Sequence, residues 1–150
     1  MSFEDDLKVG EEMEADIAKL LNKLPYLGDV VSVREYCPQD SKHYDLISKS
    51  DHTVSFEVKY DKISRETGNV GFEFMTDKGR NSGIFSTWAE HWVHVFWHDG
   101  ELVKSSTPRK QLKHHILSEQ GRVVLAGDGN AVMKIFPINE FLKWGGVIIL

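Results

Sequence analysis

Asp45, Glu57 and Lys59 form a D-x11-E-x-K pattern. Two carboxylates and an ammonium at this spacing suit chemistry at a phosphodiester. Residues 44–50 (YDLISKS) and 53–60 (TVSFEVKY) are short β-prone runs, and Ser50, Asp51 and His52 between them supply turn chemistry, so the spacing predicts a hairpin. A turn centred on Asp51 makes Asp45 and Glu57 cross-strand neighbours, with Cβ atoms about 5 Å apart. Lys59 shares their face, while Phe56, Val58 and Tyr60 point to the opposite, packed one. Like charges facing each other on a sheet repel, and a divalent cation between them removes the conflict. Hard carboxylate oxygens, completed by water and a substrate phosphate, are what Mg²⁺ prefers.

These residues resemble the core motif of the PD-(D/E)XK nuclease superfamily, with Tyr44 standing where the namesake proline often lies. The segment from Gly10 to Ala18 (GEEMEADIA) adds to the resemblance. Family members often carry a first-helix glutamate four residues after a glycine, and Glu14 matches it. A third match runs through Thr67-Gly68-Asn69, Glu73, Ser82-Gly83-Ile84, Thr87, Ala89 and Trp92-Val93, which is similar to phage-type members. The resemblance covers residues 10–95. It implies an α/β restriction-endonuclease-like fold, one domain over 1–150 with a mixed central sheet flanked by helices. It also implies a Mg²⁺- or Mn²⁺-dependent DNA endonuclease. Asp45, Glu57, Glu14 and the Val58 carbonyl would then hold metal, and Lys59 would orient the attacking water. Small phage-type relatives include Holliday-junction resolvases, so branched DNA is the leading substrate and a homodimer the expected assembly, because cutting both strands takes two sites. The alternatives are a non-catalytic DNA-binding module of the same fold and a restriction-type or single-strand nuclease.

The elements that must position these groups can be read from periodicity. Met13, Ile17, Leu20, Leu21 and Leu24 recur at helical spacing, predicting a first helix over 8–24 that Pro25 ends. Glu14 falls at the edge of that apolar stripe. Residues 30–36 read as the first strand and the hairpin follows, giving an α-β-β-β opening. Residues 70–74 alternate, so that Glu73 faces away from Val70, Phe72 and Phe74 and could approach substrate. The polar loop 78–82 (KGRNS) suits contact with a phosphate backbone. Lys62, Lys78 and Arg80 are the expected phosphate contacts.

Thr87 and Glu90 have the spacing of a capping box, predicting a short helix there with Thr87 as a structural cap. Residues 92–97 (WVHVFW) are strongly β-prone, and Asp99-Gly100 turns the chain into a strand over 101–104. His94 and His98 share a strand face with no carboxylate of evident role nearby, so no zinc site is expected. Thr107-Pro108 opens a helix to about Glu119, with Pro108 in its first turn. Residues 123–126 and 131–137 flank a turn at GDGN, a helix is expected over 138–144, and 147–150 reads as a strand or an association surface.

Composition bounds these readings. One hundred and fifty residues can bury a core without disulfides, and Cys37 is the lone cysteine, which fits a reducing cytosol. No basic apolar leader opens the chain and no apolar run approaches the roughly 20 residues that span a bilayer, so a cytoplasmic protein is expected, in the host if phage-encoded. The net charge of −5 is unusual for a DNA partner. Part of that negative charge belongs to carboxylates that a metal ion would offset.

Overall fold

The first helix, α1 (Phe3–Asn22), starts earlier than its apolar periodicity suggests. Its start is set by a polar signal: the Ser2 hydroxyl accepts the Asp5 N–H at 3.2 Å, and the Asp5 carboxylate accepts the Ser2 N–H at 3.1 Å. This computed structural model describes residues 2–126 and 129–150. Strand β1 (Val30–Ser32) is shorter than the expected strand over 30–36. Beyond β1 the chain turns into α2 (Val33–Tyr36), closed by Cys37 N–H donating to Val33 O at 2.7 Å, and the partner strand of β1, β2 (Leu46–Ser48), is likewise only three residues long.

Strand β3 (Ser55–Asp61) pairs antiparallel with β2 through Leu46↔Phe56 and Ile47↔Ser55. This is the register centred on Asp51. A helical turn, α3 (Ser64–Thr67), leads to β4 (Asn69–Thr76). The capping box at Thr87 forms no helix. The Glu90 N–H donates to Ser55 Oγ at 3.0 Å, and the Trp88 N–H donates to His43 O at 3.0 Å, so these amides tie the segment to β3 and to the chain leading into β2 instead of to a helical turn. Strands β5 (His91–His98) and β6 (Glu101–Pro108) form the expected hairpin. β6 runs four residues further than the expected strand over 101–104, through a buried Thr107 to Pro108. α4 (Arg109–Ser118) therefore begins after Pro108, which caps it and lies outside its first turn. Strands β7 (Arg122–Ala126) and β8 (Ala131–Pro137) pair as expected. In the GDGN turn, Gly127 and Asp128 lie outside the described residues. A short α5 (Ile138–Leu142) and the strand β9 (Val147–Ile148) complete the order.

The α/β architecture is as expected, but the strands divide into two sheets. The larger is mixed, in the order β1-β2-β3-β5-β6-β9, with β3 and β5 parallel. The smaller is antiparallel, in the order β4-β8-β7. Parallel pairing requires a long crossover, and residues 62–90 provide it, carrying β4 away into the second sheet. Each face of the large sheet is apolar. On one, Ile17 and Leu21 of α1 pack with Val30, Leu46, Phe56 and Val93. On the other, Trp92 and Phe96 pack with Phe72, Phe136, Phe141 and Trp144. Each such buried side chain stabilises the fold by about 1.5–3 kcal/mol. Among the described residues no helix is long and apolar enough to cross a membrane.

Candidate active site

Asp45 is held at the mouth of β2 by its whole backbone. Its N–H donates to Phe56 O at 2.9 Å and its C=O accepts the Val33 N–H at 2.9 Å. Its side chain is fixed as well, since Oδ2 accepts the Val58 N–H at 2.8 Å. Across the hairpin, the alternation of β3 places Glu57 and Lys59 on one face and Phe56 and Val58 on the other. The parallel register Glu57↔Trp92 and Lys59↔His94 confirms which residues share a side. From the helix layer, Glu14 of α1 closes the group. Glu14, Asp45, Glu57, Val58 and Lys59 line one cleft of about 490 Å³. Gly10 lines it one turn before Glu14, where an added Cβ would meet no atom within 4 Å, so this glycine leaves the cleft wall open without any packing demand.

The electrostatics are those of three acids crowded into a partly buried space. Burial, then the charge of Asp45, pushes the Glu57 carboxyl up to about 7, against the pull of Lys59 and a hydrogen bond from Thr87. Burial followed by Asp45 likewise pushes Glu14 up to about 7, opposed by Arg34. Asp45 is raised by burial, and the Val58 N–H, Lys59 and Arg34 restrain the rise. One oxygen of each acid already has a protein partner. Arg34 Nη2 lies 2.7 Å from Glu14 Oε2, the Val58 amide serves Asp45 Oδ2, and the Thr87 hydroxyl lies 3.2 Å from Glu57 Oε2. The other oxygens, Asp45 Oδ1 and Glu57 Oε1, accept no hydrogen bond among the described residues. Among those residues no three His, Cys, Asp or Glu side chains are already gathered as a metal cluster. The Arg34 ion pair engages the third acid, Glu14, from outside the cleft lining.

The remaining sequence-predicted residues divide. Lys62 lines the same cleft, where its Nζ pairs with Asp6 at 2.9 Å. Glu73 lies instead in a neighbouring pocket of about 230 Å³ that Lys59, Lys62 and His94 also line. Lys78 and Arg80 are exposed on the turn after β4, away from the cleft lining.

Three features escaped the sequence reading. Arg34 bridges Glu11 at 3.0 Å and Glu14 at 2.7 Å. Thr87, expected as a helix cap, reaches Glu57. His94 does have a carboxylate, because its Nε2 lies 3.1 Å from Asp61 Oδ2 while its Nδ1 accepts the Trp92 indole N–H at 3.1 Å. The alternation of β3 would have put Asp61 on the face of Lys59, but which strand lies beside β3 could not be read locally. Comparison with protein-family models, curated proteins and solved structures found no match to this chain.

Proposed function

We propose that this chain is a divalent-metal-dependent nuclease with a restriction-endonuclease-like fold that hydrolyses DNA phosphodiester bonds. The observation that carries the reading is the meeting of Glu14, Asp45, Glu57 and Lys59 in one cleft, with Glu14 and Glu57 pushed to about 7 by burial and then by the charge of Asp45. Carboxylates strongly perturbed by burial and a specific charge partner inside a cleft are candidates for a functional site. The donor set suits Mg²⁺ or Mn²⁺, since Asp45 Oδ1 and Glu57 Oε1 are hard oxygens without a donor among the described residues. Those two carboxylates would hold the ion, with the Val58 carbonyl and Glu14 as further ligands. A bound ion would supply an activated water and offset charge developing on the phosphate.

The chain's own residues do the rest. The Lys59 ammonium, two residues from Glu57 on the same strand face, orients the water and stabilises the negative charge of the transition state. The Val58 amide fixes the Asp45 carboxylate, and Thr87 steadies Glu57. Lys62, Lys78 and Arg80 contact phosphates flanking the scissile one, and Glu73 reaches substrate through the adjoining pocket. Branched DNA cut by a homodimer is the specialisation this reading favours. A second reading, a DNA-binding module without catalysis, is favoured by one observation: Arg34 already engages Glu14.

The test is cleavage of four-way junction, flap, duplex and single-stranded DNA with Mg²⁺ or Mn²⁺, comparing the native chain with Lys59→Ala and Asp45→Asn. Metal-dependent cutting lost in both folded variants supports the nuclease, and the preferred substrate separates a resolvase from a restriction-type or single-strand enzyme. Binding without cutting by the native chain supports the second reading.

A further inference from the structure

Trp88 is 60% exposed, although large aromatic side chains are ordinarily mostly buried. One face of its indole lies flat on the His43 imidazole, with ring centroids 3.4 Å apart and planes 3° from parallel. The stack is anchored from the backbone, because the Trp88 N–H donates to His43 O at 3.0 Å, and that same carbonyl lies 3.0 Å from the Thr87 hydroxyl. Among the described residues no other ring or cation packs on Trp88, so its outer face is open.

The place of this stack matters as much as its exposure. Trp88 follows Thr87, whose hydroxyl touches Glu57, and His43 precedes Asp45 by two residues. At about 3.8 Å between consecutive Cα atoms, His43 lies within about 8 Å of Asp45, and Thr87, the neighbour of Trp88, reaches Glu57 Oε2 at 3.2 Å, so the stack stands beside both carboxylate-bearing positions. Lys42, exposed beside His43, offers a cation to the accompanying phosphate.

We propose that the Trp88–His43 stack is a platform for one unpaired nucleobase of the DNA whose backbone enters the carboxylate cleft. The inference rests on the nuclease reading for the identity of the ligand, and it defines the substrate as DNA with unpaired bases near the cut. An indole held flat and open on one side accepts the π-face of any base, so the platform selects for unpairing and not for sequence. A fully paired blunt duplex has no free base face to offer except at its ends.

The experiment is fluorescence-anisotropy binding in a metal chelator, so that nothing is cut, with two probes: a short single-stranded DNA and the same sequence as a fully paired duplex whose two ends are closed by non-nucleotide linkers. Trp88→Ala should weaken single-strand binding about 5- to 150-fold and leave duplex binding unchanged. Trp88→Phe should retain most of the affinity while abolishing the quenching of intrinsic tryptophan emission that accompanies binding to the native chain. Equal loss on both probes, no loss on either, or no single-strand binding by the native chain overturns the platform. Failure of the nuclease reading is distinguishable. If the native chain cuts no DNA with any metal but Trp88→Ala still selectively loses the single strand, the platform stands without catalysis. If metal-dependent cutting survives while Trp88→Ala binds both probes normally, the platform falls and the nuclease remains.

Discussion

Glu57 and Asp61 sit four residues apart on β3 and point to the same side of the sheet, yet their surroundings are opposites. Asp61 Oδ2 accepts the Gly71 N–H at 2.9 Å and pairs with His94 Nε2 at 3.1 Å. Trp92 donates its indole N–H to His94 Nδ1, which assigns the remaining ring proton to Nε2 and directs it at Asp61. Each polar group in that chain has a matched partner, and His94, 2% exposed, is wrapped by Phe72 and Phe141. Among the described residues Glu57 has only the Thr87 hydroxyl, whose single proton must choose between Glu57 at 3.2 Å and His43 O at 3.0 Å, and it faces two other acids. One strand thus carries a partly buried acid whose partners build the fold and a second acid that keeps an oxygen without a donor among the described residues. The difference teaches that burial alone does not mark a site; burial without matched partners does.

The comparison would break most visibly in activity. Asp45→Asn and Lys59→Ala are expected to lower metal-dependent cleavage by about 1000-fold, about 4 kcal/mol of transition-state stabilisation, with little change in melting temperature. A variant that cuts as fast as the native chain would remove the cleft from consideration. Next, Asp61→Ala leaves the His94 Nε2–H and the Gly71 N–H without their acceptor and should destabilise the fold by about 2–3 kcal/mol in urea titration. A loss below about 0.5 kcal/mol would mean that the Asp61 network is not structural.

Glu57→Gln should act with the opposite sign. Because the folded chain holds the Glu57 and Glu14 protons up to about 7 while the unfolded chain releases them near 4.5, the folded state binds more protons between those values. Stability in metal-free buffer therefore falls as pH rises from about 4.5 to about 7 and levels off above it. Glu57→Gln should flatten that slope and gain about 1–2 kcal/mol at pH 8, an order-of-magnitude figure. Urea titrations across this range decide the sign, and a native profile that rises toward pH 7 contradicts the crowded-acid description. Added Mg²⁺ should restore native stability at high pH by binding the folded state, and should fail to do so for Asp45→Asn. The smallest effect is expected from Arg34→Gln. Its ion pairs are half exposed, so stability should change by about 1 kcal/mol or less. Loss of the cation should nevertheless raise the Glu14 titration midpoint still further, which carboxylate NMR reads directly.

Much of the site was legible before any coordinates. The turn residues around Asp51 and the alternation of 53–60 specified a register in which Asp45 and Glu57 oppose each other, and the spacing of Met13, Ile17 and Leu21 turned Glu14 toward the same cleft. Those are local consequences of chain periodicity. The length of β1, the failed helix at Thr87 and the second sheet were not legible. Thr87 and Glu90 have capping-box spacing, but the amide that a cap would satisfy bonds to Ser55 instead, on a strand thirty-five residues away. No local signal announces that competition.

By itself, then, the sequence determined the helix that carries Glu14, the hairpin that opposes Asp45 and Glu57, and the side of β3 on which Lys59 stands, because periods of 3.6 and 2 act over a few residues. Only the tertiary structure decided that β5 lies parallel to β3 and brings His94 to Asp61, that Arg34 engages Glu14, and that the crossover returns Thr87 to Glu57 and Trp88 to His43. Such pairings depend on which distant segments share a buried surface, and that is settled by the packing of two apolar sheet faces, not by any stretch of chain read alone.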